Sequence, residues 1–201
     1  MIRILLAVLI IFGSTSLFAQ ELSKKEEKAI NKRIATYIKL TKKEDYNSSM
    51  NLVFPKVFEI ASKEQMVEAF TGLEAQGFDM IFEEMSVKQI QPILFTNSAK
   101  YVICPYDMSI KFLILDEDKQ TSQIAENLLT RFKASYITGQ VTLNIEEYSF
   151  KIEGKKYLMA IQDDQYGKDW YFLDFDQNNI ETLTMLFPEE VVNKTKALIK
   201  D

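Results

Sequence analysis

The stretch that most constrains the fold is residues 101–115, where apolar side chains occupy every second position. Its other positions become polar in the middle, at Asp107, Ser109 and Lys111. A period of two is typical of a β-strand that buries one face. A straight strand of this length spans roughly 50 Å, so in a small domain it has to bend, and bent strands give a sheet a concave face. The apolar face consists of Val102, Cys104, Tyr106, Met108, Ile110, Phe112 and Ile114.

The N-terminal residues have the pattern of a cleaved secretory signal peptide. A short basic start is followed by an apolar run at 4–12, and Ala19 supplies a small residue at the cleavage point. The run is much shorter than the about 20 residues that a membrane-spanning helix needs. We therefore expect cleavage after Ala19, no transmembrane segment, and an exported product, either periplasmic or secreted. Residues 20–201 are expected to form one soluble α+β domain.

The composition excludes several functional classes. The chain has 24 basic and 29 acidic residues, a balance that disfavours nucleic-acid binding. It has no histidine, which excludes Ser–His and Cys–His nucleophiles and histidine-ligated metals. Its one cysteine, Cys104, has no partner for a disulfide within the chain, and we expect it to be buried. Because no glycine-rich phosphate loop is present either, the sequence predicts no cofactor and no metal.

Two capping boxes predict helices in the first third of the chain. Ser23 and Glu26 begin a helix that runs to about residue 43 and is strongly basic. Its charged face could lie on an anionic surface, although a face exposed to water is the simpler interpretation. Ser62 and Gln65 begin a second helix that ends at Gly77. Further helical segments are expected at residues 45–58 (as a helix or a pair of turns), at about 122–136, and from Pro188 to the C-terminus.

The remaining apolar patterns predict strands, two of them bent. The apolar side chains change from even-numbered to odd-numbered positions at residues 83–84, and from odd to even at 146–147. We call this a change of apolar parity, and in each case it indicates a β-bulge within one strand. Residues 156–162 and 170–176 have apolar side chains on both faces, which predicts a hairpin at the centre of the sheet. The predicted fold is α+β, with N-terminal helices packed on a strongly curved, cone-like antiparallel sheet.

This order of elements resembles a known fold. Helices first, then a bent antiparallel sheet with Trp170-Tyr-Phe172 near its end, are similar to the nuclear transport factor two-like fold of the cystatin-like superfamily. Residues 50–58 and 62–66 are similar to small exported bacterial proteins of unknown function. The resemblance implies a cone between helices and sheet that commonly binds a ligand. In some members it implies an isomerase or dehydratase site built from a carboxylate and Tyr or Asp donors.

The candidate ligand site lies on the apolar face of the long strand and of the last strand. Its residues are Tyr106, Met108, Trp170 and Phe172. The predicted function is a non-catalytic exported domain that binds a small apolar ligand or a partner protein in or around the cone. A structural module with a filled core, including association of two copies of the chain, is one alternative.

Acid–base catalysis as a lyase or isomerase is the other alternative. The available groups are Tyr106, Asp107, Glu84, Glu146 and Asp174. Asp107 has the opposite parity to Tyr106 and is expected to point away, whereas Asp174 shares the parity of Phe172 and is expected to point inward and to be less exposed. A partial calcium-loop spacing at Asp174, Asp176 and Asn178 lacks the glycine and the bidentate glutamate, so we interpret it as an acidic turn.

Overall fold

Two long antiparallel strands form the centre of the fold. The computed structural model describes residues 21–136, 139–176 and 178–199, so the predicted signal peptide lies outside the described residues. The helices are α1 (Lys24–Lys42), α2 (Tyr46–Ser49), α3 (Lys63–Ala75), α4 (Ser122–Ser135), α5 (Ile180–Leu186) and α6 (Glu189–Ile199). The strands are β1 (Phe78–Val87), β2 (Gln91–Phe95), β3 (Ala99–Ile114), β4 (Gln140–Asn144), β5 (Ser149–Asp163) and β6 (Tyr171–Asp174). Helices that precede a wholly antiparallel sheet confirm the α+β class. Within the described ranges, no helix is both long enough and apolar enough to cross a membrane.

The sheet has β3 and β5 at its centre and two short strands along each outer edge. β3 pairs with β5 from Ala99 opposite Asp163 to Leu113 opposite Ser149. β1 and β2 follow the free edge of β3, and β4 and β6 follow the free edge of β5. The prediction of a central hairpin is therefore wrong for β6, which lies at an edge. β6 resembles a central strand in sequence because the chain covers its far side, where the N–H of Phe54 donates to the carbonyl of Phe172 at 2.9 Å.

The two changes of apolar parity have different causes. In β1 the register against β3 shifts between Phe82 and Glu84, which confirms the predicted β-bulge. At the second change the prediction is wrong, because residues 145–148 form a turn between β4 and β5. Asn144 stabilises this turn by accepting hydrogen bonds from the N–H groups of residues 146 and 147. The strand that follows this hairpin turn has its apolar side chains on the same face of the sheet as the strand before it. Across the turn the apolar positions change from odd to even numbers, which is the same change that a bulge produces.

Both faces of the sheet are covered at one end. On the first face the apolar side of β3 packs against Ile30 and Ile34 of α1, and Cys104 is buried there as expected. On the second face Tyr101 and Ile103 belong to another core that contains α5 and α6. The prediction of a single buried face therefore holds only for the later part of β3. The sequence patterns did not predict β2 or α5, and α6 begins one residue after Pro188.

α1 is fixed at its N-terminus by its capping box and by an ion pair to the sheet. The Ser23 hydroxyl accepts from the Glu26 N–H at 3.3 Å, and the Glu26 carboxylate accepts from the Ser23 N–H at 3.0 Å. The Lys100 ammonium of β3 also donates to the Glu26 carboxylate. The hydrogen bond from Lys100, followed by that from Ser23, lowers the pKa of Glu26 from 4.5 to about 2. This carboxylate therefore links the start of α1 to the centre of the sheet.

We expect this ion pair to make the protein less stable in acid. The folded-state pKa of Glu26 is lower than its ordinary value, so its contribution is present above about pH 4.5 and is lost as the pH falls towards 2. Urea unfolding between pH 6 and pH 3 measures this loss. Glu26→Gln should cost on the order of 1 kcal/mol at pH 6 and should flatten the acid limb of the profile. Glu27→Gln, an exposed neighbour with no ion pair in the described part of the chain, is the matched control, and an identical profile for both variants would contradict the prediction.

Candidate functional site

The four predicted site residues lie together, but they are packed as core. Tyr106, Met108, Trp170 and Phe172 belong to the apolar cluster on the first face of the sheet, and none is more than 7 % exposed. Ile30 and Ile34 of α1 belong to the same cluster. Since each side chain already contacts protein on nearly all sides, a role in ligand binding stays a prediction for all four.

A polar group lies at one edge of this cluster. The Tyr106 hydroxyl donates a hydrogen bond to the Asp174 Oδ1 atom at 3.0 Å. The sheet brings the two residues together across β5, where Tyr106 is opposite Lys156 and Asp174 is opposite Leu158. The parity argument for Asp174 is therefore confirmed, because its carboxylate is on the same face as Phe172. Its expected low exposure is wrong, since Asp174 is exposed to water at the end of β6.

The other candidate carboxylates are elsewhere. Asp107 points to the opposite face, where it forms an ion pair with Lys88 at 2.7 Å, as its parity predicted. Glu84 pairs with Ser109 in the register of β1 and β3, on the face away from Tyr106. Glu146 lies in the turn between β4 and β5. Of the carboxylates considered for acid–base chemistry, only Asp174 contacts Tyr106.

Three further side chains surround the Tyr106–Asp174 pair. We call the set of Tyr37, Tyr106, Tyr136, Lys156 and Asp174 the Asp174 site. The Tyr37 ring lies 5.9 Å from that of Phe172, and the Lys156 ammonium is 4.6 Å from the centre of the Tyr136 ring. Tyr37 comes from α1, Tyr136 follows α4, and Lys156 comes from β5. Each of the three is close enough to Asp174 for the two groups to interact electrostatically.

The pKa of Asp174 is raised although its side chain is exposed to water. Burial among protein atoms raises the pKa of its carboxyl group, and the hydrogen bond from Tyr106 and the charge of Lys156 oppose this shift in part. The same side chain is nevertheless exposed to water. A carboxylate that is crowded by protein but open to water on one side has both properties. Burial, followed by the charge of Asp174, also holds the pKa values of Tyr37, Tyr106 and Tyr136 above their ordinary value, so all three are neutral hydroxyl groups.

The sequence contained part of this site. Tyr37 and Tyr136 stand in the apolar stripes of their helices, and an aromatic residue with a polar tip in such a stripe is a usable signal. Lys156 shares the parity of Leu158, which places it on the first face. The positions of Tyr106, Lys156 and Asp174 relative to one another depend on how β3, β5 and β6 are aligned. The apolar pattern of a single strand does not specify this alignment.

The acidic turn after β6 is held by hydrogen bonds within the chain. The Asp176 carboxylate accepts from the N–H of Asn178 at 3.0 Å, and the Asn179 side chain caps α5. Over the described ranges, no three His, Cys, Asp or Glu side chains converge as ligands for a metal ion.

Comparison of the sequence with models of known protein families and with curated proteins gives no match. The resemblance to the nuclear transport factor two-like fold therefore stays a prediction.

Proposed function

We propose that this protein is a binding domain that takes up a small, neutral, mainly apolar ligand at the Asp174 site. The observation that carries the proposal is the position of one hydrogen-bonded, accessible carboxylate at the edge of an apolar cluster. Ligand sites commonly combine an apolar wall with a few convergent polar groups whose pKa values are shifted. The Asp174 site has this composition, with Phe172 and the three tyrosine rings beside Lys156 and Asp174.

The charges of the site favour a neutral ligand over an ion. Asp174 lies close enough to Asp176 for the second carboxylate to raise its pKa, and this negative charge disfavours an anion. Lys156 in turn disfavours a cation at the same edge. A hydroxyl group suits the site, because it can donate to the Asp174 carboxylate and accept from the Lys156 ammonium. The ligand class that follows is an apolar molecule with one hydroxyl group.

A matched set of probes tests this proposal. We expect 1-naphthol to bind the protein more tightly than naphthalene, which lacks the hydroxyl, or 1-naphthoate, which is an anion. Calorimetric titration measures the three affinities. A hydrogen bond to a charged group contributes about 1.5–3 kcal/mol, so Asp174→Asn should weaken naphthol binding by roughly ten- to a hundredfold. Tyr106→Phe removes the hydroxyl that positions Asp174 and should weaken binding by a smaller factor.

Asp107→Asn is the control for these variants, because Asp107 is next to Tyr106 in β3 but faces the other side of the sheet. It should leave naphthol binding unchanged. Equal affinity of the wild type and Asp174→Asn would exclude the site. If none of the three probes binds, the packing of the four predicted residues favours the structural alternative, including association of two copies of the chain.

Acid–base catalysis is the second candidate function, and the Tyr106–Asp174 hydrogen bond favours it. A carboxylate whose pKa is raised can remove a proton from carbon beside a carbonyl group, and Lys156 can stabilise the oxyanion that forms. Deuterium exchange into 2-tetralone in D2O, followed by NMR, tests for this step without knowledge of the substrate. Exchange that depends on Asp174 would support a lyase or isomerase, and its absence would favour binding alone.

We further propose that the domain works outside the cytoplasm. The basic start, the apolar run and the small residue at Ala19 support this proposal. Intact-mass measurement of the protein from the exporting cell should give a first residue of Gln20, and a chain that retains residues 1–19 would contradict it.

A further inference from the structure

A groove separates α1 from the segment that precedes β6. Its volume is about 760 Å³, which is within the range of small-molecule sites. One wall is formed by Lys25, Ala29 and Lys32 of α1, and the other includes Lys168 and Trp170. Leu52 contributes to the same lining. We call this feature the α1 groove. It shares no residue with the Asp174 site.

The acidic residues of the α1 groove are already paired. Glu26 forms its ion pair with Lys100 of β3. Asp169 lies 3.3 Å from the guanidinium group of Arg33, which also donates to the carbonyl of Trp170. These contacts neutralise both carboxylates that line the groove. They also attach its two walls to each other at one point.

The remaining charges of the α1 groove are positive. In the part of the chain that the structure describes, no ion pair engages Lys25, Lys32 or Lys168. Lys25 and Lys32 are seven residues apart, so they lie on one face of α1 about 10 Å from each other. Lys168 comes from the opposite wall. Three unpaired ammonium groups around one groove favour an anion.

The lining between the lysines is mainly apolar. Ala29 lies between Lys25 and Lys32 on the helix, and its small side chain leaves room along the helix surface. Leu52 and Trp170 reach the groove only with the edges of buried side chains, so the lysine stems supply most of the apolar lining while their charged ends stay in water. The groove therefore combines a mainly apolar lining with positive charge at its rim.

We propose that the α1 groove binds a single-chain amphiphile with an anionic head group. The head group lies against the lysine ammonium groups, and the alkyl chain lies along Ala29, the lysine stems and the exposed edge of Trp170. An acidic peptide would use the same charges, but it does not need a mainly apolar groove of this volume. The proposal does not depend on the ligand of the Asp174 site.

The fluorescence of Trp170 can report the binding of a probe in the α1 groove. Trp170 is the only tryptophan and lines the α1 groove, so its fluorescence should change when the groove is occupied. Decanoate is the probe, and decyltrimethylammonium, with the same alkyl length and opposite charge, is its control. Below their micelle concentrations, we expect decanoate to give a saturable change and decyltrimethylammonium to give none.

Variants of exposed lysines locate the binding. Lys32→Gln and Lys168→Gln should each weaken decanoate binding by roughly tenfold, because each removes one charge-assisted contact. Lys28→Gln removes the same charge from α1 outside the groove and should have no effect. Asp174→Asn should also leave decanoate binding unchanged, which separates this test from that of the proposed function.

Three results would overturn the proposal. Equal binding of both probes would show an apolar surface without charge selection. Unchanged decanoate affinity in Lys32→Gln and Lys168→Gln would place the probe elsewhere. A glutamate-rich peptide that binds these lysines while decanoate does not would assign the groove to an acidic partner chain.

Discussion

Replacement of Phe150 by alanine will lower the free energy of unfolding by about 3–5 kcal/mol. Phe150 is completely buried in β5, on the first face of the sheet. Its ring centre is 5.2 Å from that of Phe132 on α4 and 6.3 Å from that of Phe112 on β3. Truncation leaves a cavity where a strand, a neighbouring strand and a helix meet. The surroundings have little freedom to close this cavity, because the strand on each side holds the backbone of β5.

Urea unfolding followed by Trp170 fluorescence measures this effect, since Trp170 is also buried in the folded state. Ile81→Ala is the control, because Ile81 is 42 % exposed in β1 and loses little apolar contact. We expect Ile81→Ala to cost less than about 1 kcal/mol. A loss below about 1 kcal/mol for Phe150→Ala would mean that α4 does not dock on this face of the sheet.

The elements that the sequence predicted best have a strong local signal. The capping boxes of α1 and α3 define both helix starts, because a side chain and the backbone of the same turn satisfy each other. The alternation in 101–115 predicted β3 to within two residues, since side chains of a strand point to opposite faces in turn. The bulge in β1 was predicted from a change of parity in the same way. In each case the information lies within a few neighbouring residues.

The errors occurred where one pattern has two structural causes. A bulge and a four-residue turn both exchange the apolar parity, so the turn at 145–148 was interpreted as a bulge. An edge strand covered on its outer side has the same composition as a central strand, as β6 shows. Resolving either case requires the strand partners, and those are contacts between residues far apart in the chain.

The sequence predicted the face on which the candidate site residues lie, but not their surroundings. Parity placed Tyr106 and Asp174 on one face, but it does not distinguish a pocket wall from a packed core. Tyr106 and Phe172 proved to be buried, whereas Asp174 lies at the open edge. The α1 groove was not predicted at all, because its two walls are more than a hundred residues apart and the charges of α1 are simply interpreted as a water-exposed helix face.

The second large effect is expected at Gly77, which ends α3 with a positive φ of 79°. Its carbonyl accepts hydrogen bonds from the N–H groups of Leu115 and Asp116, so the end of α3 and the end of β3 meet at this residue. A methyl group added at Gly77 would lie 2.4 Å from the Cβ atom of Asp116. This Cβ atom has little freedom to move away, because the backbone N–H of Asp116 donates to the carbonyl of Gly77. Gly77→Ala therefore combines backbone strain of about 1–3 kcal/mol with overpacking of about 1–3 kcal/mol.

We expect Gly77→Ala to lower the free energy of unfolding by about 2–6 kcal/mol in urea titrations. Gly72→Ala is the matched control in the same helix, because its new methyl group would meet only the flexible end of Gln76 at 3.6 Å. That substitution should stabilise the protein by about 0.5–1 kcal/mol, since alanine favours the helix interior over glycine. Combining Gly77→Ala with Asp116→Gly removes the atom that the methyl group would meet, and should recover the overpacking part but leave the backbone strain. A neutral Gly77→Ala would mean that α3 does not end against β3 as described.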